Sequence, residues 1–332
     1  MEHVIIIGGG IGGAIAHDLT LRGYSVTLLE RGELLSGSTG RHHGLLHSGA
    51  RYVLHDAVAA RECMAENRIL KKLAPNALEQ NDGLFVALND ADMSHWEAFA
   101  DGCRLADIPI HPLTPAQIFR LEPNLSAKIK GGFQVPDAAM DAWRLPLHFF
   151  ATAKANGAQI RTFSEVVQIL SNGTDVTGVA VLDHRSQKTY RLGGDIIVNA
   201  AGPWAGKIAG LLDIHLPVRP GPGVMISVKA RLTNMVINRL HPADDGDIIV
   251  PQRQLSLLGT STWLAEDPDR IGIPKDHLEQ IVTSCAAMVP KIHEFPVHAA
   301  WSAARPLIVR DPGEAPTKIS RSFEACLLYT SP

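Results

Sequence analysis

The first residues with a spacing suited to chemistry are the glycines of 8–13, which read Gly-Gly-Gly-Ile-Gly-Gly and satisfy GxGxxG. Gly8 would allow a tight turn, Gly10 would let the backbone approach a pyrophosphate, and Gly13 would permit close helix–strand contact. Glu30 follows 17 residues after Gly13, where a carboxylate can accept hydrogen bonds from both ribose hydroxyls. This spacing predicts a site for the AMP half of a dinucleotide. The acid excludes NADP, because it would repel a 2′-phosphate.

A second candidate site is cationic. Arg41 and Arg51 lie in a stretch with four histidines, namely His42, His43, His47 and His55. Arginine pairs with phosphate oxygens through a planar fork and keeps its proton, so these residues, together with Arg305, predict a patch that binds a small anion. A metal site is the alternative interpretation of the histidines. Because no Cys, Asp or Glu before Asp56 completes a tetrahedral ligand set, we predict no metal.

The glycine turn has the flanking elements that it needs. Residues 3–7 form an unbroken apolar run, typical of a parallel strand buried on both faces. Helical spacing follows over residues 14–22, with Gly23 placed to end the helix, and residues 25–29 predict a second strand that ends at Glu30. These elements make a βαβ unit. The unit alone does not decide between FAD and NAD.

The rest of the chain predicts two interleaved domains. We expect a long loop over residues 32–52, and further elements as follows: helices over 54–73 and from Asp141 to Asn156, paired strands over 163–170 and 176–182, and a buried strand over 196–199. Short alternating runs at 224–228, 247–250, 255–260 and 297–303 predict an antiparallel sheet. The fold class is therefore α/β, a Rossmann-type nucleotide-binding domain interleaved with a mixed or antiparallel-sheet substrate domain. The expected boundaries are 1–90 with 140–215 for the first domain, 91–139 with 216–321 for the second, and 322–332 for a non-native or disordered tail.

Composition narrows the class of protein. The 332 residues carry a net charge of −3, which argues against nonspecific nucleic-acid binding. The four cysteines are far apart in sequence and form no CxxC pair, as expected in a reducing compartment. No run of about 20 apolar residues is present, and the apolar start lacks the basic lead-in of a signal peptide. We expect a cytoplasmic protein that docks on a membrane, if at all, through a partner.

The loop sequence also carries a family resemblance. Residues 38–52, Ser-Thr-Gly-Arg-His-His-Gly-Leu-Leu-His-Ser-Gly-Ala-Arg-Tyr, resemble a segment of the FAD-dependent glycerol-3-phosphate dehydrogenases, most closely the catalytic subunit of the anaerobic, three-subunit type. The similarity continues through residues 60–63, 66–67, 83–85, 135–137 with Asp141 and Arg144, 198–202, 258–260 with Thr262, and 305–307. It covers nearly the whole chain to about residue 321.

The resemblance implies FAD as cofactor and assigns roles to residues. The implied cofactor-binding residues are Gly8, Gly10, Gly13, Glu30, Arg31, Ser38, Thr39, Gly40, His43, Gly44, Leu45, Val167, Ala200 and Gly202. Those from Ser38 to Leu45 would lie beneath the flavin, and Val167 would hold the adenine through its backbone. The residues implied to contact substrate are Arg51, Tyr52 and Arg305, and the catalytic pair is His47, as a candidate base, and Arg305.

The implied reaction is oxidation of sn-glycerol 3-phosphate to dihydroxyacetone phosphate, with hydride passing to flavin N5 and electrons reaching a quinone through partner subunits. The chain departs from the family at residues 221–224, Gly-Pro-Gly-Val, where relatives carry Lys-Gly-Ser. The family's Gly-Gly-Lys turn and its cysteine-containing C-terminal domain do not occur either. Two alternatives therefore stay open: a related FAD enzyme acting on another small hydroxy acid or amino acid, and a flavin-free relative that binds a protein.

Overall fold

The computed structural model describes residues 2–173, 175–242, 245–311, 313, 319 and 324–327. Its strands are β1 His3–Ile7, β2 Ser25–Leu29, β3 Leu45–Leu46, β4 Leu78–Glu79, β5 Gly83–Ala87, β6 His111–Leu113, β7 Gly131–Val135, β8 Ala138–Met140, β9 Gln159–Arg161, β10 Ser164–Ser171, β11 Val176–Asp183, β12 Lys188–Gly193, β13 Ile196–Asn199, β14 Val218–Val228, β15 Val236–Arg239, β16 Ile248–Gln252, β17 Leu255–Gly259 and β18 Val297–Ile308. Its α-helices are α1 Ile11–Leu21, α2 Ala57–Leu73, α3 Asp90–Met93, α4 Trp96–Leu105, α5 Pro115–Leu121, α6 Arg144–Ala155, α7 Ala205–Ala209 and α8 Lys275–Met288.

A parallel sheet positions the glycine turn. Its strand order is β13-β1-β2-β9, and every pair in it is parallel. Val4 and Ile6 pack in a cluster with residues of α1 and α6, whereas Ile5 and Ile7 pack against the antiparallel β10-β11-β12 sheet. Because both faces are covered, β1 is apolar at every position after His3. The predicted βαβ unit is confirmed.

The second large element is an eight-stranded mixed sheet with the order β18-β14-β17-β16-β15-β5-β7-β6. The four runs predicted as antiparallel strands lie in β14, β16, β17 and β18, which pair antiparallel. Neighbouring side chains of β16 face opposite ways: Ile249 packs in the cluster that includes α8, and Ile248 and Val250 pack with Leu45 of the loop. This sheet therefore has one face toward α8 and the other toward the histidine-rich loop.

The predicted helices form with shifted ends. Helix α1 begins three residues earlier than predicted, since both Gly12 and Gly13 adopt helical conformation. Helix α2 begins at Ala57 because the Asp56 side chain accepts a hydrogen bond from the Ala59 N–H, an N-cap contact. Asp141, the predicted start of the second helix, accepts from the N–H groups of Trp143 and Arg144, and α6 begins at Arg144.

The fold class is confirmed as α/β with a large mixed sheet. The domain boundaries stay a prediction, although β5, within the expected 1–90 segment, pairs with β7 and β15 of the large sheet. The expected tail at 322–332 lies outside the described residues apart from 324–327. Across the described part of the chain, no helix is both long and apolar enough to cross a bilayer.

Candidate functional site

The glycine turn is sterically closed to side chains. Gly8 has a φ of +107°, and a Cβ at this position would lie 2.5 Å from the carbonyl oxygen of Ala200. Its N–H donates to the Leu29 carbonyl at 2.9 Å, which joins the turn to β2. At Gly10, a Cβ would collide with the Thr39 hydroxyl. The absence of side chains at Gly8 and Gly10 thus lets three chain segments meet at the point predicted for a pyrophosphate.

The predicted packing role of Gly13 is wrong. A Cβ at Gly13 would lie 2.8 Å from the ring of Phe150 on α6, so this glycine permits a close helix–helix contact. Helix–strand contact falls to Gly12, whose Cβ would lie 2.8 Å from the Ile6 side chain on β1. The GxGxxG spacing does not separate the two positions, because the sequence does not show where α6 packs.

Glu30, which follows β2, stabilises the glycine turn through hydrogen bonds to its carboxylate. Its Oε2 accepts from the Gly9 N–H at 2.8 Å, and its Oε1 accepts from the Gly32 N–H at 2.9 Å. Each carboxylate oxygen can accept more than one hydrogen bond, so the predicted ribose contacts are compatible with this arrangement. The carboxylate therefore shapes the turn as well as the predicted sugar site.

Val167 lies where the backbone of β10 is irregular. The β10–β11 register passes from Val166 opposite Val181 to Gln168 opposite Ala180, so Val167 is bulged out of the ladder. Three residues earlier, Ser164 donates its N–H to the Glu30 carbonyl at 2.8 Å. The strand that carries Val167 thus starts beside Glu30, as a backbone contact to adenine would require.

Ala200 and Gly202 follow β13 on the other side of the turn. The Ala200 N–H donates to the Ile7 carbonyl at 2.9 Å, and Gly202 has a φ of +56°. Arg31 has a different environment. Its guanidinium lies 2.9 Å from Asp269 and 4.8 Å from the centre of the Trp204 ring. Its predicted contact with the cofactor stays a prediction.

Beside the turn, the loop and the large sheet enclose a cavity of about 410 Å³. The predicted site residues that line it are Ser38, Thr39, His43, Leu45, His47, Arg51, Tyr52 and Arg305. Residues from separate parts of the chain complete the wall, among them Met140, Met225, Asp245, Thr260 and Thr262. The loop predicted to lie beneath a flavin and the residues predicted to bind substrate thus share one cavity.

Contacts to three other segments hold the loop against this cavity. The Ser38 hydroxyl donates to the Ala304 carbonyl at 2.5 Å, and the Gln252 amide donates to the Gly44 carbonyl at 3.0 Å. Gly44 has a φ of +70°, and a Cβ there would lie 2.6 Å from the Met140 carbonyl oxygen. The glycine is therefore required for the close approach of loop and β8.

Three histidines that line the cavity, His42, His43 and His47, are neutral. Burial lowers the pKa of His42 to about 4, and its Nδ1 accepts from the Gly44 N–H at 2.8 Å. Burial, with a smaller contribution from the Arg51 charge, lowers the pKa of His47 to about 3. Burial, with smaller contributions from His47 and His42, places the pKa of His43 well below its ordinary value, and its Nδ1 is buried without a hydrogen-bond partner among the described residues. Neutral imidazoles can accept a proton.

Arg51 is ion-paired rather than simply directed at the cavity. Its Nη2 donates to Oδ1 of Asp247 at 2.6 Å, and the Asp247 side chain is only 3% exposed. Burial opposes ionisation of Asp247, but the Arg51 charge and the contacts of the carboxylate with His241 and Arg51 together outweigh it and lower the carboxyl pKa. Both groups are therefore charged. The sequence did not point to Asp247, since 196 residues separate the two partners.

Arg305 lies flat along β14. It is opposite Gly221 in the β14–β18 register, and its Nη2 donates to the Thr260 hydroxyl. A Cβ at Gly223 would lie 2.7 Å from Nη1 of Arg305. A side chain at position 223 would therefore occupy the space that the guanidinium fills. Thr260 lies within a segment that carries the resemblance, but it was not predicted as the partner of Arg305.

Two polar residues that were not assigned to the site support the loop segment after Leu46. The Asn67 amide on α2 donates to the carbonyls of His47, at 3.1 Å, and Pro136, at 3.2 Å. Asp137 accepts from the Ser48 N–H at 2.7 Å. Both lie in segments that carry the family resemblance, and this was the signal available in the sequence. Within the described part of the chain, no group of three or more His, Cys, Asp or Glu residues is arranged to hold a metal ion.

The glycine turn, the loop beside it and the combination of sheets define a class of protein. Residues 3–323 match the model of the DAO family, FAD-dependent oxidoreductases, and the chain belongs to this family.

More particular relatives agree with the resemblance. The chain is 38% identical to the A1 subunit of the anaerobic glycerol-3-phosphate dehydrogenase of Haloferax volcanii, covering 96% of this chain and 57% of the relative. It is 37% identical to the A subunit of the Escherichia coli strain K12 enzyme, and the match covers 96% of this chain and 60% of that relative. These relatives confirm the resemblance. The chain thus spans about three-fifths of their length.

Solved structures show the fold. Glycine oxidase from Geobacillus kaustophilus has a TM-score of 0.77 at 21% identity, covering 93% of this chain and 84% of that one. The L-alpha-glycerophosphate oxidase from Mycoplasma pneumoniae, solved with FAD bound, has a TM-score of 0.75 at 22% identity, covering 93% and 85%.

Proposed function

We propose that this chain is the FAD-binding and substrate-binding part of an enzyme that oxidises sn-glycerol 3-phosphate to dihydroxyacetone phosphate. The observation that carries the proposal is the shared cavity, which brings the histidine-rich loop together with Arg51 and Arg305. The names of the relatives from Haloferax volcanii and Escherichia coli support it. Those relatives differ from the glycine oxidase of similar fold in acting, by name, on a phosphate ester.

The glycine turn and loop fit FAD, because Gly8 and Gly10 let the turn approach Ala200 and Thr39 closely where a pyrophosphate would lie, and the adjoining cavity is lined by Ser38, Thr39, His43 and Leu45 of the loop. FAD, when bound, would supply the acceptor for the hydride that leaves C2 of the substrate. The protein would bind and orient the substrate. Arg51 and Arg305 are fixed by their own hydrogen bonds before substrate arrives, so little side-chain freedom is lost on binding.

His47 would accept the proton of the substrate hydroxyl. It lines the same cavity as both arginines, and it is neutral at physiological pH because its pKa is about 3. A base with so low a pKa is weak. A phosphate dianion paired with Arg51 and Arg305 would offset the positive charges that contribute to the depression, and would raise the basicity of His47 when substrate is present.

Electrons would pass to a quinone through partner subunits. Both relatives are named as one subunit of an anaerobic dehydrogenase, which supports an assembly of several chains. We place the protein on the cytoplasmic side and, through those partners, at the inner face of the cell membrane. We infer this assembly and location for the chain from the names of its relatives.

The test uses the purified full chain. Flavin absorbance is measured after gel filtration, and reduction of an artificial dye is followed with glycerol 3-phosphate. A yellow protein that reduces the dye with this substrate and not with lactate or glycine supports the proposal. A yellow protein active only on lactate or glycine contradicts the substrate assignment, and a colourless protein contradicts the cofactor assignment.

A second candidate function is oxidation of another small hydroxy acid or an amino acid. The observation that favours it is the stretch Gly221 to Val224 on β14, where the family pattern has Lys-Gly-Ser, so the cationic side chain of that pattern is missing. Bleaching of the bound flavin under anaerobic conditions by a panel of hydroxy and amino acids distinguishes this function. Bleaching by glycerol 3-phosphate alone rules it out.

A further inference from the structure

The segment of residues 266–273, between β17 and α8, contains no helix or strand. Within the described part of the chain, every hydrogen bond that ties it to the rest of the protein goes through the carboxylates of Asp267 and Asp269. The donors are the side chains of Arg31, Trp204 and Lys207. The segment is therefore attached by polar side chains and not by backbone pairing.

A short turn in this segment presents the Asp269 side chain. Oδ1 of Asp267 accepts from the Asp269 N–H at 3.1 Å, and the Asp267 carbonyl accepts from the Arg270 N–H at 3.2 Å. Pro268, between the two aspartates, restricts the backbone further. The sequence Asp-Pro-Asp thus fixes the backbone from which the Asp269 carboxylate reaches its partners.

Asp269 joins two parts of the parallel sheet at the carboxyl ends of its strands. Its Oδ1 accepts from Nη2 of Arg31 and from Nε1 of Trp204, each at 2.9 Å, and its Oδ2 accepts from Nζ of Lys207 at 2.9 Å. Arg31 follows β2, whereas Trp204 and Lys207 follow β13. These two strands lie on either side of β1, which leads into the glycine turn. One carboxylate therefore connects the chain on both sides of the predicted pyrophosphate site.

The segment also borders a space beside the predicted flavin site. Pro268, Asp269 and Ile271 line a cavity of about 100 Å³ together with Gly37 and Ser38. Ser38 lines the larger cavity as well, and it is one of the predicted cofactor contacts. Dinucleotides bind to open α/β sheets in the crevice beyond the carboxyl ends of the strands, so this segment lies at the edge of the cofactor site.

The contacts of Asp269 are charged and accessible to solvent. Burial opposes its ionisation, but hydrogen bonds from Lys207, Arg31 and Trp204 outweigh burial and lower the pKa of Asp269 to about 2. The side chains of Asp269, Arg31 and Lys207 are 40%, 43% and 52% exposed. Ion pairs with this exposure are individually weak and are screened by salt. They can hold the segment in place and still release it.

We propose that Asp269 is a positioning residue for the cofactor: it holds residues 266–273 against the chain that follows β2 and β13, and the segment held in this way slows the release of FAD. The inference rests on the proposed binding of FAD at the glycine turn. It gives Arg31 a role as an anchor of the segment, since its guanidinium binds Asp269 and lies 4.8 Å from the centre of the Trp204 ring.

The experiment removes the charge of Asp269 and keeps its shape. The full chain with bound FAD is prepared as wild type and as Asp269→Asn. After dilution, the FAD that stays bound is measured by rapid gel filtration at timed intervals, at low salt and in about 1 M NaCl. The matched control is Asp107→Asn, which breaks an exposed ion pair of 2.6 Å between the chain after α4 and Arg68 on α2.

We expect Asp269→Asn to release FAD about tenfold faster than wild type at low salt, because the contacts with two cations lose their charge. Salt should speed release from wild type and have a smaller effect on the variant. With FAD in excess, kcat should stay within about twofold, and Asp107→Asn should behave like wild type. Equal release rates in wild type and Asp269→Asn overturn the inference, as does an equal response to salt.

A second measurement reports on the segment without reference to catalysis. The Arg270 side chain is 89% exposed, and cleavage by trypsin after Arg270 requires the segment to leave its held conformation. In timed digests analysed by mass spectrometry, this bond should be cut faster in Asp269→Asn than in wild type, with cleavage at other sites unchanged. Cleavage at the same rate would show that Asp269 does not hold the segment.

The inference and the proposed function fail separately. If the wild type holds FAD but oxidises a substrate other than glycerol 3-phosphate, and Asp269→Asn releases FAD faster, the substrate assignment is wrong and the role of Asp269 stands. If glycerol 3-phosphate is oxidised and the two proteins release FAD at the same rate, the function stands and Asp269 has no part in retaining the cofactor.

Discussion

The two ends of the proposed active site are assembled from the chain in different ways. The dinucleotide end is formed by Gly8, Gly10 and Glu30, which lie within about 25 residues of each other on one βαβ unit. The anion end joins Arg51 to Asp247 across 196 residues and Arg305 to Thr260 across 45. The first end is built from local turns and the second from the packing of a loop on a mixed sheet.

The two ends also differ in the kind of atoms that would contact a ligand. At the dinucleotide end the important atoms are backbone N–H groups, which the turn geometry and the half-buried Glu30 carboxylate orient. At the anion end the important atoms are guanidinium nitrogens, and each needs a buried partner to hold it. Substitutions at the first end should therefore act through shape, and substitutions at the second through charge.

The largest effect should come from Gly8→Ala. The backbone conformation at φ +107° is strained for alanine, and the new Cβ would lie 2.5 Å from the Ala200 carbonyl oxygen, so the turn must open. We expect FAD affinity to fall on the order of a hundredfold or more, measured by flavin absorbance after gel filtration and by titration.

Gly157→Ala is the matched control for Gly8→Ala. It has a similar φ of +94° with no atom within 4 Å of an added Cβ, so it carries the conformational cost alone. It should lower the free energy of unfolding by roughly 1 kcal/mol and leave FAD bound. Loss of FAD from both variants would show that the effect at Gly8 is general destabilisation.

The sequence predicted the dinucleotide end because that end depends on local rules. A buried strand, a glycine turn, a helix and a terminal acid follow one another, and each has a residue pattern of its own. The exception was Gly13, whose neighbour Phe150 comes from a helix 137 residues away. Local patterns do not show which distant element packs against a glycine.

At the anion end, the sequence predicted the cationic residues but not the residues that pair with them. Arg51, Arg305 and His47 stood out by residue type and by family resemblance. Asp247 lies outside the segments that carry the resemblance, and it has no spacing that links it to the loop. Its pairing with Arg51 follows from the packing of the loop on the eight-stranded sheet, whose strand order the sequence did not reveal.

The next largest effect should come from Arg305→Lys. Lysine keeps the charge but loses the planar fork that contacts Thr260 and lies in the space above Gly223. We expect kcat/KM for glycerol 3-phosphate to fall about a hundredfold with FAD content unchanged. Arg310→Lys, at an exposed ion pair with Glu324, should have no measurable effect. Full activity in Arg305→Lys would mean that charge alone is sufficient there.

A smaller effect concerns pH. Because the pKa of His47 is about 3 in the substrate-free protein, His47 is neutral across the working range. The profile of kcat/KM, which reports the free enzyme, should therefore have no acid limb from this residue between about pH 5 and 8. His47→Gln should lower kcat throughout that range without changing the shape of the profile. An acid limb near pH 6.5 that disappears in His47→Gln would contradict the assigned pKa.

The same pKa has a consequence for stability. The folded-state value lies below the unfolded value of about 6.5, so the unfolded chain binds a proton first as pH falls. The stability associated with neutral His47 is present above about pH 6.5 and is lost progressively toward pH 3. Denaturant unfolding of His47→Gln should show a shallower decline over this interval than wild type. If the free energy of unfolding declines equally with pH in the two proteins, the decline does not come from the buried neutral His47.

The smallest effect should come from Gly13→Ala. This variant tests whether Gly13 serves helix packing against α6 or the dinucleotide end of the site. The added Cβ would lie 2.8 Å from the Phe150 ring, and since the backbone at Gly13 is helical, only the ring has to move. We expect a loss of about 1–2 kcal/mol in the free energy of unfolding, measured with urea, and almost unchanged FAD affinity. If FAD affinity instead falls as far as in Gly8→Ala, Gly13 contacts the cofactor region directly and the helix–helix contact with α6 is not its main role. A double variant with Phe150→Leu decides the point, because the smaller side chain should remove most of the cost only when the contact is the cause.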